Sequence, residues 1–189
     1  QYLVKWIEDL GGEALMPSIG EWIIYTAYLR RHKQHPEPEG FLGYIGGLLR
    51  DKYLLRREHN LYKIAESLIK DRKEPAMENI IREGEKYIPI AFQGEAILTL
   101  GRAVVFIKED KVDAIVNASP MFCMPGTITT SIFPQIEKEY GIPAICTFYD
   151  GSGQQNNVLI PHMHFIKNRL EQKTPHSSDA NKAITAAKQ

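Results

Sequence analysis

Cysteine is scarce in this sequence: only Cys123 and Cys146 occur among its 189 residues. Two cysteines cannot build the disulfide framework typical of a small secreted domain, so we expect a reducing, cytoplasmic compartment. The sequence also lacks the CxxC and HxxxH spacings that hold metals locally. A metal bound through either thiol would therefore need ligands from other parts of the protein.

Net charge and long apolar runs are lacking as well. Lys+Arg and Asp+Glu both number 23, so composition gives no general argument for nucleic acid or an anionic membrane as a partner. No apolar run approaches the roughly 20 residues that span a bilayer. Residues 49–73 hold eight Lys or Arg against four Asp or Glu, which we interpret as a solvated helix face rather than a nucleic-acid patch.

The order of helical and apolar segments predicts an α/β fold, a three-layer Rossmann-like parallel sheet. A strongly helical stretch without strand patterns, at about residues 41–87, indicates a helical insertion. We expect one domain over residues 1–171, a fragment of a longer chain, followed by a flexible tail at 172–189. The predicted strands cover residues 13–16, 113–118 and 142–149, and the predicted helices cover 2–10, 21–31, 94–110, 126–140 and 156–170.

Residues 113–130, DAIVNASPMFCMPGTITT, are the stretch around which the rest is organised. The apolar start predicts a buried strand, and Pro125 and Gly126 suit the first turn of a following helix. Right-handed crossovers then bring the Cys123 loop and the turn at Asp150 to the same edge of the sheet. Ligands collect at the carboxyl ends of strands in open α/β sheets, so this edge is the predicted site.

Cys123 has two open interpretations at this stage: a structural cysteine in the core, or a thiolate ligand to a metal at a helix start. A phosphatase nucleophile is excluded because no Arg occurs within the next few residues to close a phosphate-binding loop, and a cysteine hydrolase has no placed base. Neither a GxGxxG signature nor a P-loop is present. For the polar residues after Asp150, turn chemistry is the simpler explanation than ligand contact.

Several short motifs, taken in this order, resemble one family. They are GGE at 11–13, EW at 21–22, GEAIL at 94–98, NxxPxFCMPGT at 117–127, YGIP at 140–143 and YDG at 149–151. The chain is similar over most of residues 1–171 to the C-terminal α/β domain of the 2-hydroxyacyl-CoA dehydratase and benzoyl-CoA reductase superfamily. The similarity is closer to the large proteins related to the dehydratase activase.

The resemblance implies an iron–sulfur function. In that family a 4Fe-4S cluster held by cysteines of different domains passes an electron to a thioester-bound substrate after ATP-driven reduction. Cys123 matches a cluster ligand, and the expected partners are other domains of the parent chain and an activase or dehydratase subunit. The isolated domain should be inert, since one thiolate cannot hold such a cluster. The candidate ligand-contacting residues at the same edge are Asn117, Pro125, Gly126, Thr127, Asp150 and Gly151.

A function of another class is the alternative. The same edge could serve a non-catalytic α/β binding module for a small anionic ligand or a partner protein, because backbone N–H groups at a helix start donate hydrogen bonds to a sulfate or phosphate.

Overall fold

A computed structural model of the chain describes residues 2–31, 40–69, 74–92, 94–152 and 155–173. Within them the fold is mixed α/β and mostly helical, with a parallel sheet of two strands. Short 3-10 turns and one π-helical turn connect the main elements. The elements are α1 (Tyr2–Asp9), α2 (Ile19–Arg31), α3 (Gly40–Ile69), α4 (Met77–Gly84), α5 (Ala96–Val105), β1 (Ile115–Pro120), α6 (Met124–Tyr140), β2 (Ala144–Tyr149) and α7 (Leu159–Lys173).

The two strands run in parallel and are joined by α6. Ile115 lies beside Ala144 at one end, and Pro120 lies beside Tyr149 at the other. Side chains alternate between the faces of a strand, and here each face meets its own cluster of apolar residues. Ile115 packs with α5 and α6, whereas its neighbour Val116 packs with α1 and α7. Helices therefore cover both faces of the sheet.

Two glycines allow α4 and α5 to lie against each other without intervening side chains. A Cβ built on Gly101 of α5 would overlap the carbonyl oxygen of Ile80 of α4, and one on Gly84 would overlap the carbonyl oxygen of Ile97. The pair also packs against Tyr25 of α2, which is buried, so this contact lies inside the larger helical core.

A buried group of charges links α2 to α5. The Nη1 atom of Arg102 lies 3.3 Å from Oε2 of Glu21 and 3.2 Å from Oε2 of Glu74. Its guanidinium also stacks on the ring of Phe106, 4.4 Å from the centroid. The Arg102 and Glu21 side chains are less than a tenth exposed, so the cation compensates a carboxylate that water does not reach.

A second charged cluster joins α4 to the π-helical turn at Phe106–Asp110. The Glu83 carboxylate accepts hydrogen bonds from Lys86 at 2.5 Å and from Lys108 at 2.7 Å. Burial alone would raise the pKa of Glu83, but the two lysines outweigh it and hold the pKa below its ordinary value of 4.5. The ionised form is therefore the one that the fold stabilises.

This shift predicts a pH dependence of stability. Because the folded pKa of Glu83 is depressed, its contribution is fully present above the unfolded pKa and is lost as pH falls through the folded pKa. Glu83→Gln should lower the free energy of unfolding by about 1–2 kcal/mol at neutral pH. Urea unfolding should show the stability difference between the native chain and Glu83→Gln shrinking as the pH is lowered, and it should be smallest at the lowest pH at which the chain still unfolds cooperatively.

The matched control is the exposed Glu85 at the end of the same helix. Glu85→Gln should change stability by less than about 0.5 kcal/mol at every pH. A Glu83→Gln gap that stays constant with pH would refute the electrostatic explanation.

The structure confirms the predicted helices and two of the three predicted strands. The strand predicted at 13–16 is wrong: these residues have no regular secondary structure. Leu15 does pack against the core beside the sheet, but Met16 is 67% exposed and Pro17 has no N–H to donate. None of residues 13–16 is fully buried, and such partial burial does not hold a strand in register.

The predicted insertion at about 41–87 contains α3 and α4, and both are helical as expected. Helix α7 extends to Lys173, two residues into the predicted tail. The rest of that tail lies outside the described residues. Among the helices that the structure describes, none has the length and apolar character needed to cross a membrane.

Candidate functional site

The Cys123 loop and the Asp150 turn leave the same edge of the sheet, as the sequence predicts. Pro120 and Tyr149 are paired at the ends of β1 and β2. Immediately beyond them, the Met121 N–H donates to the carbonyl oxygen of Tyr149 at 2.9 Å. The parallel register thus places both loops at the carboxyl ends of the strands.

Cys123 stands directly before α6, with extended backbone angles of φ −69° and ψ 114°. Its N–H donates to the Pro120 carbonyl at 3.1 Å, which closes a tight turn after the strand. Its carbonyl accepts from the backbone N–H of Thr127 at 2.9 Å and from the Thr127 hydroxyl at 3.0 Å. These bonds hold the backbone of Cys123, and the residue as a whole is half-buried.

Gly126 brings the first turn of α6 against the end of β1. A Cβ at this position would lie 2.6 Å from the Cβ of Ser119, closer than real side chains approach. Pro125 precedes it within the first helical turn, where its missing N–H costs nothing. These two residues shape the loop that carries Cys123. Three of the predicted ligand-contacting residues, Pro125, Gly126 and Thr127, thus lie in the first turn of α6, directly after Cys123.

Asn117 lies elsewhere. It is buried in the middle of β1, and its amide nitrogen donates to the hydroxyls of Thr129 at 3.1 Å and Thr130 at 3.2 Å. The sulfur of Cys146 lies 3.9 Å from the same nitrogen. The structure therefore places this predicted ligand contact between the sheet and α6, where it ties strand to helix. Cys146 is half-buried and packs against the apolar cluster formed by α5 and α6.

Asp150 organises the turn after β2. Its carboxylate accepts a hydrogen bond from the Ser152 N–H at 2.8 Å and another from the Gln155 side chain. The bonds from Ser152 hold the pKa of this exposed carboxyl below its usual range, so Asp150 carries a negative charge at neutral pH. Gly151 follows with a left-handed φ of 90°, which glycine adopts without strain.

Exposed apolar residues flank Cys123 in the chain. Met121 is 45% exposed, Met124 is 63% exposed and Phe122 is 95% exposed. Phe122 also has a left-handed φ of 64°, a conformation that costs an L-residue roughly 1–2 kcal/mol. We call these three residues the Met-Phe-Met rim. It exposes apolar surface and holds strained backbone at the candidate site.

The strain at Phe122 can be measured by comparing two small substitutions. Phe122→Gly should be about 0.5–1 kcal/mol more stable than Phe122→Ala, because glycine adopts the left-handed φ without strain. The greater conformational entropy of glycine in the unfolded chain offsets only part of this stabilisation. Both variants remove the exposed ring, so the difference between their urea unfolding curves isolates the backbone.

Phe165 provides the control, since it is also largely exposed but lies within α7. There the order should reverse, with Gly less stable than Ala by about 1 kcal/mol. Equal stability of the two Phe122 variants would contradict the strained turn.

Cys123 is the thiol-bearing residue of the loop between β1 and α6. Within the described ranges, no group of three or more His, Cys, Asp or Glu side chains is placed to hold a metal ion. A 4Fe-4S cluster takes four ligands, mostly cysteine. Cys123 can supply at most one such ligand.

Two features of the site were not predicted from the sequence: the contact of Ser119 with the first turn of α6, and the exposure of the Met-Phe-Met rim. The contact of Ser119 could have been predicted, because side chains alternate along β1 and Ser119 therefore lies on the same face as Asn117. The left-handed backbone of Phe122 could not, because that conformation normally belongs to glycine or asparagine.

Comparison with known proteins adds no assignment: no family model, no curated protein and no solved structure matches the chain.

Proposed function

We propose that this chain is a domain of an iron–sulfur protein related to the 2-hydroxyacyl-CoA dehydratases or their activase. In this proposal Cys123 is one ligand of a 4Fe-4S cluster that other domains complete, and the cluster serves ATP-driven electron transfer to an acyl-CoA. The observation that carries the proposal is the position of Cys123, half-exposed before α6 at the carboxyl edge of the sheet. The motif resemblance supports the same residue.

The surroundings of Cys123 suit a ligand that faces another domain. Cys123 is the residue directly before the first turn of α6. The turn from Pro120 and the two bonds from Thr127 hold the Cys123 backbone, so a metal would meet a preorganised ligand. The Met-Phe-Met rim supplies apolar surface of the kind that is buried at the centre of protein interfaces.

The proposal extends to the finer architecture and the setting. The two parallel strands, covered by helices on both faces, would form part of a three-layer, Rossmann-like sheet. The partners would be other domains of the parent chain and an activase or dehydratase subunit. A reducing cytoplasm would keep both cysteines as thiols.

The test is anaerobic iron–sulfur reconstitution of the full-length parent protein. Cys123→Ser should remove most of the visible cluster absorbance and the bound iron, because serine is a poor replacement for a thiolate ligand. Cys146→Ser is the matched control, since its sulfur lies in the core between β2 and α6, and it should leave both signals unchanged. Circular dichroism should confirm that both variants fold.

Two outcomes would refute the cluster assignment: a parent that gains no cluster, or a folded Cys123→Ser variant that keeps its absorbance and iron. The alternative is a non-catalytic binding module for a small anionic ligand or a partner protein, and its anionic-ligand form has less support. Asp150 keeps its negative charge at the same edge and would repel an anion there.

A further inference from the structure

We draw no further inference here: the strongest candidate, the cavity of about 330 Å³ that Glu21, Glu74 and Glu78 line between α2, α3 and the start of α4, carries nothing because Arg102 already pairs with Glu21 and Glu74 and no feature among the described residues points to a ligand.

Discussion

Gly101→Ala is expected to lower the free energy of unfolding by about 3 kcal/mol or more, because the added methyl group has no room. Its Cβ would overlap the carbonyl oxygen of Ile80 and lie 3.0 Å from the backbone nitrogen of Gly84. Both neighbours are backbone atoms of α4, so no side-chain rotation can relieve the overlap. The two helices must move apart, and the apolar contacts around Ile97 and Ile80 are loosened with them.

The matched control uses the same change where space is open. Nothing lies within 4 Å of a Cβ built on Gly46 in α3. Gly46→Ala should therefore raise stability by about 0.5–1 kcal/mol through helix propensity. Equilibrium unfolding in urea, with the helical circular dichroism signal as the probe, measures both variants. A Gly101→Ala variant as stable as the native chain would disprove the close helix contact.

Arg102→Met should also cost about 3 kcal/mol, for an electrostatic reason rather than a steric one. Methionine fills much of the same volume but removes the cation that lies 3.3 Å from the buried Glu21 carboxylate. The loss of stacking on Phe106 adds a smaller penalty. The difference between the free energies of unfolding of the variant and the native chain measures the combined loss of the ion pair and the stacking.

A double-mutant cycle separates the ion pair from the lost packing. Adding Glu21→Gln to Arg102→Met should recover about 1 kcal/mol or more, because the neutral amide is less costly to bury than the carboxylate. Arg82→Met is the control on the surface: Arg82 hydrogen-bonds to Asn79 in an exposed part of α4, and its loss should cost less than about 0.5 kcal/mol. A zero coupling energy between Arg102 and Glu21 would show that their contact contributes no stability.

The strand, turn and helix around Cys123 were predictable because their signals are adjacent in the sequence. The apolar run before Asn117, the Pro125-Gly126 pair and the Gly141 stop are each local. Gly141 indeed ends α6 in a left-handed conformation with φ 67°. The shared edge of Cys123 and Asp150 followed from the handedness of parallel crossovers.

Features that depend on distant residues were not predictable in the same way. Asn117 was expected at the open edge, but its amide is satisfied by two threonines a helical turn into α6. The pairing of Arg102 with Glu21 and Glu74 joins parts of the chain that no local pattern connects. The false strand at 13–16 arose because apolar residues before Pro17 look alike whether they pair in a sheet or only pack against one.

The parallel pairing of β1 and β2 also bears on the order of folding. Ile115 finds Ala144, 29 residues later in the chain, so every sheet contact requires a long loop to close. The α4–α5 contact is also non-local, but its helices can each gain structure from near neighbours before they meet. We therefore expect the docking of β2 onto β1 to come late in folding, and the Cys123 loop to reach its final shape at that step.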